Sequence, residues 1–185
     1  VDLLDDLLPM DVAGLHGRMA GGHPIRLEAL DDTEYHGVSL GLPAWVEGLA
    51  WKTFKKVFRR EPATGVLRGW NVAVEQQGPR GPFVDRFARG ERVTYGHYEV
   101  HPGSGYALPR DYRFGAVIDY ARGGNRPWEP FFLTKDPLVA LTEDGRDVLL
   151  GYGIVSLGPM RFNTPAFFLL TRGGPLTYDV KPPWR

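Results

Sequence analysis

Hydrophobic positions change their spacing once along this chain. In "VDLLDDLLPM" Leu3, Leu4, Leu7 and Leu8 recur at intervals of three and four, with Asp2, Asp5 and Asp6 on the other side. That spacing predicts a short amphipathic helix, and Pro9 ends it. "DVAGLHGRMAGGHP" (11–24) predicts another helical turn or two, broken by its glycines. "LPAWVEGLAWKTFKKVF" (42–58) fits a helix in its first half, where Pro43 suits a first helical position and Trp45 and Leu49 are spaced by four. Its second half fits a strand equally well. From residue 64 the period becomes two. "TGVLRGWNVAVEQ" sets Val66, Arg68, Trp70, Val72 and Val74 against Leu67, Gly69, Asn71, Ala73 and Glu75. Further short strands are expected at 34–40, 83–88, 92–100, 112–121, 130–134, 137–142, 147–157 and 165–172, and Asp144-Gly145 marks a hairpin.

Eight to ten short antiparallel strands after a helical start predict a mainly β protein, closed as a barrel or packed as a sandwich. The barrel is favoured, because several strands carry bulky or polar residues on both faces and a sandwich with one wet face would alternate more cleanly. A length of 185 residues suits a single domain. Within it, 1–33 form a helical segment, 34–180 the barrel, and the end "VKPPWR" a tail.

Charge and composition narrow the function classes. Lys plus Arg and Asp plus Glu both number 22, so the basic surplus that phosphate binding needs is missing and nucleic acid is not the expected partner. The densest basic stretch, "KTFKKVFRR" (52–60), is expected to be the solvated face of a structured segment. With no cysteine there is no thiolate nucleophile, disulfide or thiolate-bound metal, which is compatible with a cytoplasmic location. No apolar run approaches the roughly 18–20 residues of a membrane span. The acidic N-terminus does not read as a signal peptide. A net charge of zero and aromatic strands are compatible with self-association into a homo-oligomer.

Candidate chemistry centres on "TYGHYEVHPG" (94–103). On a regular strand Tyr95, His97, Glu99 and His101 share one face. Strand residues four apart lie about 13 Å apart, so His97 and His101 cannot share a metal, and no metal or other cofactor is expected. His97 and Glu99 suit acid–base work if their face is the lumen. Asp119, among Val117, Ile118 and Tyr120, is the other carboxylate that needs a reason, with solvent exposure as the bland one. The candidate catalytic residues are therefore His97, Glu99 and Asp119. The candidate substrate-binding residues are Trp51, Trp70, Asn71, Tyr98, Tyr120 and Trp128, whose rings could instead simply fill a core. Phosphate-cradling loops and a Gly-x-Ser-x-Gly elbow are absent.

"LLPMDVAGLHGRMAGGHPIRLEALDDTEYHGVSL" resembles the N-terminal module of the GXWXG family, with Gly17, Gly21, Gly22, His23 and Pro24 as matches. Met19 stands where that family has Trp, and Val38 where it has Lys. "KDPLVALTEDGRDVLLG" and "PAFFLLTR" are similar to its C-terminal companion module, although Leu133, Thr134 and Ala140 replace polar positions. Residues 60–130 match much less, so the likeness covers about half of the chain. The resemblance implies a lipocalin-like barrel that binds a lipophilic small molecule, and it supplies no catalytic residue. Three functions follow. The first is a cofactor-independent acid–base enzyme (isomerase, cyclase or lyase, of the kind met in secondary metabolism) acting on a lipophilic substrate. The second is a non-catalytic carrier of such a molecule. The third is an interaction module with a filled barrel.

Overall fold

The computed structural model describes residues 3–41, 52–108, 112, 114–157 and 160–183. Two short helices come first, α1 (Leu3–Leu7) and α2 (Val12–Ala20). Asp11 caps α2, its Oδ1 accepting the Gly14 N–H at 2.8 Å. A 3-10 turn (Leu27–Leu30) leads into β1 (Thr33–Leu40). The other strands are β2 (Thr53–Arg60), β3 (Leu67–Ala73), β4 (Phe87–Ala88), β5 (Glu91–Arg92), β6 (Thr94–Pro102), β7 (Ala116–Asp119), β8 (Thr134–Ala140), β9 (Val148–Leu157) and β10 (Met160–Pro175). Eight of them close an antiparallel barrel in the order β1-β10-β9-β8-β7-β6-β3-β2, while β4 and β5 form a separate ribbon. This is the expected mainly β, lipocalin-like architecture.

Three apolar clusters follow from the alternation of the strands. Inside the barrel Tyr35, Phe58, Leu67, Tyr98, Ile118, Leu138 and Leu170 pack together, and Leu30 joins them with Ile25 and Leu27 beside it. These residues fill the end where β1 begins, so that end is closed. Outside, α1 and α2 lay Leu7, Leu15 and Met19 against Val38, Val139, Leu150 and Leu169. On the opposite outer wall Leu176, Tyr178 and Val180 cover Val57, Trp70 and Val72. Residues 176–180 are thus a strap on the barrel, which takes only Val180 from the expected tail. Arg68 ties it down, donating to the Val180 carbonyl at 2.8 Å and to Asp179 at 2.9 Å. Among the described residues no helix is long and apolar enough to cross a membrane.

Several local expectations change. Residues 130–133 form a 3-10 turn and not a strand. Of 83–88 only Phe87 and Ala88 are strand, and they lie outside the barrel. The 52–60 segment is not a solvated face: it contains β2, whose first six residues are buried. The undecided helix at 42–51, with Trp45 and Trp51, lies outside the described residues.

One irregularity sets which groups face the lumen. Gly69 pairs with Tyr98, yet Asn71 pairs with Tyr95. Two residues of β6, Gly96 and His97, therefore oppose Trp70 alone, which is a β-bulge. Gly96 has φ +52°, a left-handed conformation that favours glycine. The bulge reverses the alternation across it. Tyr95 faces inward with Tyr98, and His97, Glu99 and His101 face outward.

Candidate active site

The barrel end opposite the Leu30 plug holds a cavity of about 360 Å³. Phe54, Phe131, Val155, Ala166 and Phe168 supply apolar lining. Lys56, Asn71, Tyr120 and Asp136 bring polar groups into the same cavity. Alternation puts them there. Lys56 lies between Phe54 and Phe58 on the inner face of β2, and its register partner on β3 is Asn71. Asp136 precedes Leu138 and Ala140 on the inner face of β8, and Tyr120 follows directly on β7.

The four side chains form one hydrogen-bonded network. Lys56 Nζ donates to Asn71 Oδ1 at 2.9 Å and to the Tyr120 hydroxyl at 2.6 Å. The Tyr120 hydroxyl donates to Asp136 Oδ2 at 2.9 Å. Lys56 Nζ and Asp136 Oδ2 are 3.7 Å apart, a buried ion pair. Asn71 is held by its own amide, which donates to the Tyr95 and Gly96 carbonyls. The Lys56 ammonium also lies 4.8–5.1 Å from the ring centres of Tyr98, Tyr120 and Phe168, where cation–π attraction offsets part of the lost hydration.

Burial governs the protonation of this group. It pushes the Lys56 amine down to about 8, against the opposing pull of Asp136. It pushes the Asp136 carboxyl up, against the pull of Lys56. The Tyr120 phenol is pushed well above its usual range, first by burial and then by Asp136, so it remains a proton donor. In this buried network a proton can pass between amine and carboxylate with no change in net charge, because both the ion pair and the neutral pair sum to zero.

The structure separates the residues singled out in the sequence. Asn71 and Tyr120 line the cavity, and Tyr98 stands inward with its hydroxyl on the Val57 carbonyl at 2.8 Å. The three acid–base candidates do not face the lumen. His97 lies on the outer wall, its ring tilted over Trp70 at 6.2 Å, and its Nδ1 has no hydrogen-bond partner. Glu99, also outside, meets His101 at 3.1 Å. Asp119 is the register partner of Glu99 and takes Lys135 at 2.8 Å, Tyr106 at 2.9 Å and the Ala121 N–H. That set of donors satisfies its charge without a catalytic role. Trp70 lies under the C-terminal strap, and Trp128 is 74% exposed beside Arg126. Trp51 is outside the described residues.

Lys56 and Asp136 were missed, although the sequence carried a signal for both. In "TFKKVF" Lys56 is two residues from Phe54 and from Phe58. In "KDPLVA" Asp136 shares its face with Leu138 and Ala140. A charge inside an apolar strand is also what singles out Asp119.

His97 has a structural consequence that can be measured. Burial, and secondarily Arg68, pushes its imidazole down to about 4. The unfolded chain protonates this histidine near 6.5, so between those values it binds more protons than the folded protein does. Stability should therefore fall as pH drops from about 6.5 to 4, with a His97 share of the order of 2–3 kcal/mol. Chemical denaturation at several pH values should show this share missing in His97→Leu. An identical acid slope in the variant would mean that the ring is already hydrated.

No protein-family model matches the chain, and no curated protein is similar to it.

Proposed function

We propose that the barrel takes up a largely apolar small molecule and moves a proton on it without a cofactor, as an isomerase, cyclase or lyase. The observation that carries this reading is the meeting of an amine, a phenol and a carboxyl, all buried, in one apolar cavity. Burying such groups is costly, and an inner face filled with Leu and Phe would stabilise a barrel at least as well. Lys56 and Tyr120 can donate to an electron-rich atom of the ligand, while Asp136 can accept a proton. The cavity's apolar lining would place the ligand, and water exclusion would strengthen each of these contacts. The acid–base role first sought at His97, Glu99 and Asp119 passes in this reading to Lys56, Tyr120 and Asp136. The resemblance of 7–40, 135–151 and 165–172 to the GXWXG modules is in keeping with a ligand-binding barrel.

A carrier is the second reading. It is favoured by the internal completeness of the network, since Lys56 already has two hydrogen-bond acceptors and an ion-pair partner. Incubation with a lipophilic extract of the host, re-isolation and mass spectrometry separates the two. A product missing from the no-protein control marks an enzyme, and an unchanged bound molecule marks a carrier. Ala166→Trp, which extends an indole into the cavity, should lower ligand retention at least about tenfold, or about 1.4 kcal/mol. Undiminished retention by a folded Ala166→Trp protein would place the ligand elsewhere and sink both readings.

A further inference from the structure

The chemistry of the cavity wall can be taken one step further, resting on the reading of the cavity as a small-molecule site. We propose that the substrate is an apolar aldehyde or ketone and that Lys56 Nζ bonds to its carbonyl carbon as an imine, with Asp136 and Tyr120 moving the protons.

The geometry supplies each part of that reaction. Imine formation needs an uncharged amine, an acid close to it, and little water. Lys56 lines the cavity, and Asp136 Oδ2 is 3.7 Å from its nitrogen, with the Tyr120 hydroxyl bridging the two at 2.6 and 2.9 Å. Transfer of one ammonium proton to the carboxylate gives a neutral amine beside a carboxylic acid, a pair that the apolar wall favours over separated charges. The nitrogen lone pair then attacks the carbonyl carbon, and the carbonyl π electrons move to oxygen. The oxygen takes up a proton as nitrogen gives one up, which yields a carbinolamine. Asp136, as the acid, protonates the hydroxyl, the C–O bond breaks, and one water leaves as the C=N bond forms. The resulting Asp136 carboxylate is the base placed to take a proton from the adjacent carbon, giving an enamine. Reprotonation and addition of one water reverse these steps and free the amine. An isomerisation or a carbon–carbon cleavage can be run through that enamine.

Other lysines of the barrel are built for different work. Lys55 lies between Glu34 at 2.8 Å and Asp85 at 2.7 Å, and Lys135 rests on Asp119 at 2.8 Å. Against its burial, the Asp85 and Glu34 carboxylates raise the Lys55 ammonium above its usual range. Lys56 alone among these three has a ring-lined cavity in front of it and a carboxyl whose own burial favours the protonated form.

The test uses octanal as the reactive probe and 1-octanol as its unreactive counterpart. The intact protein is incubated with octanal and cyanoborohydride, digested, and mapped by tandem mass spectrometry. The mass of one octyl chain is expected on Lys56, appearing at least about tenfold faster than on any other lysine. Its rate should rise as pH passes about 8. Octanol, whose binding is followed by calorimetry, should suppress the modification. Lys56→Arg should lose the adduct, and Asp136→Asn should slow trapping at least about tenfold. If octanol binds but no adduct forms on Lys56, or the label spreads evenly over all lysines, the imine is overturned and the cavity reading stands. If octanol does not bind and no adduct forms, both fall. Competition on the wild type keeps the test decisive should either variant fail to fold.

Discussion

Asp136→Leu is expected to lower folding stability by about 3–5 kcal/mol, whereas the triple change Lys56→Met, Tyr120→Phe and Asp136→Leu should leave the protein as stable as the wild type or up to about 4 kcal/mol more so. The single change strands an amine that is fully buried among rings. Its ion-pair partner goes, and the Tyr120 hydroxyl loses its acceptor. The triple change removes amine, phenol and carboxyl together and replaces them with side chains that match the surrounding Phe54, Phe168 and Leu138. Asn71 keeps its bonds to the Tyr95 and Gly96 carbonyls, and its free Oδ1 lies at the cavity, where water can reach it. The two outcomes together distinguish a network kept for chemistry from one kept for the fold. Urea denaturation of the three proteins is the measurement. A triple variant no more stable than Asp136→Leu would make the network a structural element.

The same comparison has a pH signature. Lys56 titrates near 8 in the folded protein and at the usual 10.5 when unfolded. Above about 8 the unfolded chain binds more protons at this site than the folded one does, so wild-type stability should rise relative to the triple variant as pH passes that value.

Gly96→Val should cost about 2–5 kcal/mol and loosen the site even where the barrel survives. A side chain in the left-handed region costs about 1–2 kcal/mol, more when branched at Cβ. Packing overlap adds about 1–3 kcal/mol. A Cβ at this position would lie 2.9 Å from Asn71 Nδ2 and 3.2 Å from the rings of Phe131 and Tyr120. Asn71 is the acceptor that holds Lys56, so the strain falls directly on the network. The chain could escape by straightening the bulge, but that would either turn Tyr95 outward or bring His97 into the lumen, because the two share a face on a regular strand. Thermal denaturation reads the cost, and the octanal-trapping rate of Lys56 reads the effect on the site. A variant with unchanged stability would mean that the β6 bulge tolerates a side chain that its backbone disfavours.

The sequence by itself determined the class of fold. A leucine face on 3–8, a two-residue period from 64 onward and the Asp144-Gly145 hairpin were enough for a helical start and antiparallel strands, because these patterns depend only on local geometry, and bulky or polar residues on both strand faces favoured the barrel. It also pointed to Asn71, Tyr98 and Tyr120, which do face inward. Orientation across a bulge was beyond it. A period of two says that neighbouring residues face opposite ways, and one extra residue at Gly96 reverses the assignment for everything that follows. His97, Glu99 and Tyr95 were grouped on one face for that reason, and only the register between β3 and β6 parts them. Pairing between distant charges was equally out of reach. Lys56 and Asp136 are 80 positions apart in the chain, and nothing local to "FKKVF" or "KDPLV" indicates that one charge answers the other. Barrel closure brings β2 and β8 to face each other across the lumen, and that tertiary step turned a lysine expected in solvent into the centre of the site.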